Sequence, residues 1–426
     1  MWRIDWEQAG NWSDLNPGSW TVQADYGIFH VYAFTMTMGM LLAVALTAYR
    51  FWKRDLNLIH VALGAAFVIP FGLFGASFFG KLNADGIGRN ANGVDFWGLF
   101  AFWQPGMSIH GAVYIGALVG FIIFAIISRK TKVSLWVYLD CIVPNILLAQ
   151  AIGRFGNFFN HEVMGVPVWD VTLGEGQNPL SWISNWILVN TQLRYVGTSG
   201  LIINGITLTQ GHVYQMDPIF LYEVIGFILG WFVLTFILPN FGKWVGPKPW
   251  KKYPNKYVFK IGQSIKLMFQ PWKWKQPYSE TNQTWISIWN SAYYLQKDRD
   301  QFEMFSLKMD FYRNEKSLTK LKKRRGAVRA LNKANNPDHY WITKAGAEGS
   351  GYFFVWNFVR FLLELQRPND HLFIMYEKDW SMAVIMLSAM LGLLFIVLNQ
   401  TIFPMFCRQP GWMYEKQYFK AKKIKF

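Results

Sequence analysis

Seven mostly apolar runs punctuate the chain, near residues 28–49, 58–80, 109–128, 133–153, 218–239, 351–367 and 381–403. Each approaches the ~20 residues a helix needs to cross a bilayer core, where every backbone N–H and C=O must be satisfied within the segment. The pattern predicts an all-α polytopic membrane protein of about seven transmembrane helices, the sixth being short and the most polar. Three stretches follow: 1–239 with helices one to five and a polar segment at 154–217, an insertion at 240–350, and 351–426 with the last two helices and a tail.

Composition agrees with a lipid environment, being 52% hydrophobic, 18% aromatic and only 16% charged. Mean hydropathy is nevertheless just +0.13, so a polar region must dilute the apolar runs. Residues 240–350 are that region: they hold 22 Lys and Arg against 8 acids, or +14 of the formal net charge of +16. Basic residues near span ends favour the cytoplasmic side. Arg50, Lys53 and Arg54 follow run one, Arg129, Lys130 and Lys132 follow run three, the insertion follows run five, and Arg408, Lys416 and Lys420 follow run seven. All four groups share one side if the N-terminus is outside and the C-terminus is cytoplasmic. Segments 1–27, 81–108, 154–217 and 368–380 then face outward. This makes 154–217 a small extracytoplasmic segment and 240–350 a basic cytoplasmic insertion whose partner the sequence does not name.

Aromatic and basic residues alternate at Trp250–Tyr253 and Gln270–Lys275, and a basic cluster follows at Leu321–Arg325. These stretches suit an anionic leaflet. Topology accounts for the charge, and no nucleic-acid motif accompanies it. Residues 1–27 contain Asp5, Glu7, Asp14 and Asp25 and no apolar core, so no cleavable signal peptide is expected. Trp2, Trp6, Trp12 and Trp20 suit either a membrane interface or an ordinary extramembrane cap.

An ionisable residue inside a span costs at least ~2.5–3.5 kcal/mol on insertion scales, so it has either a function or a partner. Tyr32 and His30 fall at the outer start of run one, His110 at that of run three, and Arg154 at the outer end of run four. Tyr222 and Glu223 lie one to two turns inside run five. Arg360 stands roughly 14 Å into run six, near midplane, with Glu364 one turn further out on the same face. A purely structural ion pair is the competing reading of those two. His110, Arg154, Asn157, Glu162, Glu223, Arg360 and Glu364 thus converge on the outer half of the bundle, with Asp140 the exception. A conducting pathway would leave polar groups along its whole depth; the asymmetry favours a lipid-headgroup site opening to the outer leaflet.

Other chemistry is sparse. Cys141 and Cys407 share no zinc or redox spacing, and the seven histidines lack close metal-ligand spacing, so no metal site is expected. No glycine-rich nucleotide loop calls for a soluble cofactor.

The stretch Gly153-Arg-Phe-Gly-Asn-Phe-Phe-Asn-His-Glu-Val-Met-Gly165, spelling GRxGNFxNxExxG, resembles the signature of the prolipoprotein diacylglyceryl transferase family. Trp103-Gln-Pro-Gly-Met-Ser-Ile-His110-Gly111 is similar to that family's W-x-x-G-M-S-x-H-G block, and Tyr32 stands where its first span carries a Tyr. Pro218 with Leu221-Tyr-Glu223 resembles P-x-x-L-Y-E. Arg360-Phe-Leu-Leu-Glu364, followed by Arg367-Pro-Asn-Asp370, resembles R-x-x-x-E with its trailing residues. Departures are Ala112 for a second Gly, Asp217 for a His, Trp356-Asn357 for a Tyr-Gly pair, and the long insertion.

The resemblance implies transfer of a diacylglyceryl group from phosphatidylglycerol to the lipobox cysteine of preprolipoproteins, at a multi-pass bacterial cell membrane protein. Arg154 and Arg360 would hold the departing phosphate, as planar cations suited to it. His110 would be the base, or else a core histidine bonded to a carbonyl. Asn157, Asn160 and Glu162 would touch the glycerol hydroxyls or scaffold the motif turn. Tyr32, Tyr222, Glu223 and Glu364 would orient the others. A transporter of a lipid or small anion, or a membrane scaffold recruiting partners through the insertion, would use the same residues differently.

Overall fold

A computed structural model describes residues 6–8, 21–85, 96–103, 107–295, 308, 310–312, 314–367, 372–374 and 377–418. Trp2, Trp12, Trp20, Lys420 and the Pro368–Asp370 block lie outside the described residues. The fold is mostly helical. Its main helices are α1 (Val31–Lys53), α2 (Ile59–Asp85), α3 (Ile109–Thr131), α4 (Leu135–Ile142), α5 (Ile146–Phe159), α6 (Ile219–Phe232), α7 (Ile261–Met268), α8 (Lys320–Asn335), α9 (Ala347–Glu364) and α10 (Lys378–Gln400).

Among the described residues six helical segments are long and apolar enough to cross a membrane: Val31–Lys53, Ile59–Leu82, Gly111–Thr131, Leu135–Phe159, Ile219–Lys252 and Lys378–Phe406. Large apolar side chains such as Leu41, Phe67, Leu118, Phe121 and Leu229 stay exposed on them, as lipid-facing residues do. The sequence predicts seven crossings. The sixth predicted run forms helix α9, but Glu348, Arg360 and Glu364 within its 18 residues leave it outside those six.

The chain divides into two compact units. One comprises Met1–Leu46, Val143–Phe232 and Gly351–Leu393. Its polar segment supplies three strands of a four-stranded antiparallel sheet, with residues 6–8 as the fourth, β-structure that hydrophobic run length does not predict. Strands β1 (Trp6–Gln8), β2 (Pro167–Asp170), β3 (Gln192–Tyr195) and β4 (Val213–Met216) lie in the order β1-β3-β4-β2. Trp6 packs inside it, its ring 5.1 Å from Tyr195 and 5.8 Å from Tyr214, which favours the extramembrane cap over an interfacial anchor. A second apolar cluster joins Val22, Phe158, Leu180, Ile183 and Phe220, with the rings of Phe158 and Phe220 stacked at 4.8 Å.

The other unit comprises Thr47–Ile142, Val233–Ser350 and Leu394–Phe426. Its α2 and α3 cross closely because Gly75 and Gly111 face each other; a Cβ on Gly75 would stand 2.6 Å from the Gly111 carbonyl oxygen. Asp140, the sequence's exception, accepts the backbone N–H groups of Gly346 at 2.7 Å and Gly349 at 2.9 Å, satisfying orphan donors where α9 begins. Glu348 beside it pairs with Arg50 at 2.5 Å and Arg54 at 3.0 Å. The insertion has an apolar, largely aromatic core that includes Tyr257, Ile288, Trp289, Tyr293 and Tyr340. Trp250, expected to face lipid, stacks on Phe259 at 4.8 Å against that core instead.

Candidate active site

The signature stretch begins on a helix and ends in the turn beyond it. Pro144 interrupts run four with a short 3-10 turn, after which α5 continues through Arg154 to Phe159. The extracytoplasmic segment expected from residue 154 therefore starts as helix, and Arg154 belongs to its penultimate turn. Gly156 explains how α5 lies against α1: a Cβ there would meet Tyr32 Cδ2 at 2.9 Å and collide with the Thr35 hydroxyl. Tyr32 is thereby placed beside the arginine turn, close enough to interact electrostatically with Arg154 and Glu162.

Past α5 the chain turns sharply. His161 and Val163 both adopt positive φ, 52° and 61°, a strained choice for a β-branched Val. Backbone bonds hold it: Glu162 donates to Asn157 O at 2.8 Å, Gly165 to Asp217 O at 2.7 Å, and Phe220 to Val163 O at 3.2 Å. Asn160 closes α5 through its backbone N–H, which reaches the carbonyls of Gly156 and Phe158. The turn is thus pinned to the start of α6, which carries Glu223.

Glu223 is fully buried and gathers three arginines, one from α5, one from α9 and one from the turn just past α9. Arg154 Nε lies 2.5 Å from its Oε2. Arg367 Nη2 donates to its Oε1 at 2.6 Å, and Arg360 Nη1 stands 3.9 Å from the same oxygen. Glu364, also fully buried, braces the second pair, with Arg360 Nε at 2.7 Å and Arg367 Nε at 3.7 Å. Phe373 N donates to its other oxygen at 2.5 Å. From Arg154 the network runs on through Asn157 Oδ1 at 3.4 Å, and Asn157 Nδ2 donates to Glu162 at 3.2 Å. The arrangement can hold a tetrahedral anion by several planar donors in a low-dielectric setting.

A sequence model of the prolipoprotein diacylglyceryl transferases matches residues 23–255, more than half of the chain. The chain belongs to that family. It is 31% identical over 209 residues to the phosphatidylglycerol--prolipoprotein diacylglyceryl transferase of Paenarthrobacter aurescens (strain TC1), covering 48% of this chain and 58% of the relative. The Malacoplasma penetrans (strain HF-2) protein of the same name is 31% identical over 230 residues, covering 49% and 56%. The Synechocystis sp. (strain ATCC 27184 / PCC 6803 / Kazusa) protein of that name reaches 42% over 89 residues, covering 20% and 30%. The chain spans about half the length of the first two of these relatives.

Arg154, Asn157, Glu162 and Glu223 lie within the family match, whereas Arg360, Glu364 and Arg367 lie beyond it and reach the same carboxylate through the fold. Arg367 was not among the residues sequence reasoning singled out for the site. Its signal was present: it follows Arg360 by seven positions and Glu364 by three, a helical spacing, although α9 ends at Glu364 and Arg367 stands in the turn just past it. Tyr222 is not brought to the arginines. One position along α6 turns a side chain by about 100°, and Tyr222 pairs with Asp217 instead. Burial pushes the Asp217 carboxyl above the usual carboxylate range, and the Tyr222 bond opposes that shift. His110 lies in the first turn of α3, and its side chain is outside the described residues.

Proposed function

We propose that this protein transfers a diacylglyceryl group from phosphatidylglycerol to the lipobox cysteine of preprolipoproteins at the Glu223 cluster. The observation that carries the reading is the convergence of Arg154, Arg360 and Arg367 on one buried carboxylate at the start of a helix long and apolar enough to cross a membrane. In the reaction the thiolate sulfur attacks a glyceryl carbon, and the bond from that carbon to the phosphate oxygen breaks. A thioether forms, and glycerol phosphate leaves with the electron pair. Charge grows on the phosphate as that bond breaks, and the planar donors of Arg154 and Arg360 stabilise it. The thiol proton passes to His110.

Glu223 and Glu364 hold the arginines in place against their mutual repulsion. Asn157, Asn160 and Glu162 shape the motif turn beside the glycerol, and Tyr32 and Tyr222 orient their neighbours. The step balances without an oxidant, reductant or cofactor. In this reading the enzyme is a multi-pass protein of the bacterial cell membrane, with the sheet-bearing segment outside and the basic insertion in the cytoplasm, and its substrates are the lipid and the lipobox peptide.

The test is incubation of purified protein with phosphatidylglycerol vesicles and a lipobox peptide, followed by mass spectrometry. A thioether-linked diacylglyceryl peptide with stoichiometric glycerol phosphate is expected. Movement of lipid or a small anion across the vesicle with no adduct would overturn the enzyme reading in favour of a transporter.

A further inference from the structure

Helix α7 lies outside the six membrane-crossing segments, yet among the described residues one of its faces is built of large apolar side chains that stay exposed. Ile261, Ile265 and Met268 recur at i, i+4 and i+7, and the chain continues through Phe269 and Trp272. Phe269 is 79% exposed, Ile261 69%, Met268 67% and Trp272 65%. The other side is bonded into the insertion. Gln263 Oε1 accepts the Gln283 backbone N–H at 2.8 Å, Ser264 Oγ accepts that of Trp285 at 3.0 Å, and Leu267 is buried. The apolar face therefore has a fixed direction. Exposed Lys260, Lys266, Lys273 and Lys275 rim it.

This face is anchored at the end of a membrane-crossing helix. Lys275 Nζ donates to the Trp52 carbonyl at 2.7 Å in the last turn of α1 and also contacts the Asp55 carboxylate. Lys53 Nζ stands 4.5 Å from the Trp274 ring centroid, and the Trp274 indole N–H donates to Leu267 O at 2.8 Å. Helix α7 is thus tied through Trp274 to the level at which α1 leaves the bilayer. A short amphipathic helix with an apolar face, a lysine rim and an interfacial Trp fits the headgroup and acyl boundary.

We infer that α7 and residues 269–275 form an in-plane anchor that seats the insertion on an anionic leaflet of the membrane its own helices cross. The occupant is phospholipid with negatively charged headgroups: acyl chains meet Ile261, Ile265, Met268, Phe269 and Trp272, and the headgroups meet the lysines. The inference is independent of the proposed transferase activity.

The test uses the full chain in nanodiscs. Cys407→Ser removes the exposed thiol and leaves Cys141 buried, and Phe269→Cys then carries an environment-sensitive fluorophore. Thr281→Cys, exposed on the loop beside the bonded side of α7, serves as the reference position. Lipids brominated in the acyl chain should quench the label at position 269 at least about two-fold, while aqueous iodide quenches only the label at 281. Lipid quenching should be greater in phosphatidylglycerol than in phosphatidylcholine discs. Combined Lys260→Gln, Lys266→Gln and Lys273→Gln substitutions should erase that difference. Iodide quenching at 269 without lipid quenching would overturn the anchor, and shielding from both quenchers would show a protein surface over it. Equal lipid quenching in both discs would overturn the anionic preference.

Discussion

At the scale of the residue, the Glu223 cluster separates charge balance from geometry. Lysine in place of Arg154 or Arg360 keeps the cation and loses the planar fork that, in the proposed reaction, would meet two phosphate oxygens at once. We expect Arg154→Lys and Arg360→Lys each to retain the fold and to lose about 100-fold or more in transfer rate, measured as initial rate beside a thermal melt. Rates near wild type would assign these arginines to charge balance alone. Glu223→Gln is expected to act on stability. It leaves Arg154 facing a neutral amide and Arg360 and Arg367 sharing the one carboxylate of Glu364, in a buried setting where removing one partner of an ion pair costs about 3–5 kcal/mol. A melt lowered by several degrees with lipid binding lost is the expected pair of readings, and an unchanged melt would show that Glu364 balances the arginines without Glu223.

At the scale of the element, apolar run length placed the membrane helices well because the bilayer sets that length. The ends were placed less well: α1 runs on to Lys53 and α5 to Phe159, since a helix does not stop where its side chains become polar. The sheet was not legible because its four strands have only three or four residues each and come from positions as far apart as Trp6 and Met216. The two-sided use of Glu223 was equally hidden, since sequence shows the Arg360–Glu364 spacing and gives no distance to α6. Asp140 was legible only as an intramembrane charge; its role depends on the chain returning 206 positions later to present Gly346 N–H. Asp140→Ala would strand two buried N–H groups, and a loss of about 1–3 kcal/mol is expected in chemical or thermal unfolding, with no change in KM for lipid. The tail offers a pH-dependent counterpart. Lys416 Nζ lies 4.4 Å from the Tyr293 ring centroid and donates to the Tyr293 carbonyl, and burial holds its pKa down at about 8. Below that value both folded and unfolded chains carry the proton, and the cost of burying the charge is present in full. Between about pH 8 and the ordinary lysine value of about 10.4 the unfolded chain binds more protons, so stability rises with pH. Relative to Lys416→Met, the wild type should gain on the order of 3 kcal/mol between pH 7 and pH 11. A flat difference in melting temperature across that range would show that the amine is solvated.

At the scale of the whole molecule, crossing number and orientation can be settled together. Among the described residues six segments qualify as crossings by length and composition, and α9 stands apart because of its charges. Its 18 residues extend about 27 Å, close to the thickness of a hydrocarbon core. Its charges are also matched, Arg360 by Glu364 and Glu223, and Glu348 by Arg50 and Arg54. Paired charges of this kind remove much of the insertion cost, so we expect α9 to cross. Gln177, exposed in the sheet-bearing segment, and Cys407, the exposed one of the chain's two thiols, are separated by the Ile219–Lys252 span, α9 and the Lys378–Phe406 span. Three crossings put the two positions on opposite sides of the membrane; two would put them on the same side. An impermeant maleimide applied to intact cells should label Gln177→Cys in a Cys407→Ser background, and should reach wild-type Cys407 only after permeabilisation. That result would also place the basic residues after α1, α3 and the fifth and last spans in the cytoplasm, where the excess of Lys and Arg favours them. Labelling of both positions from outside would mean that α9 lies in the plane of the membrane or re-enters on its own side, and Arg360 would then approach Glu223 without its helix spanning the bilayer.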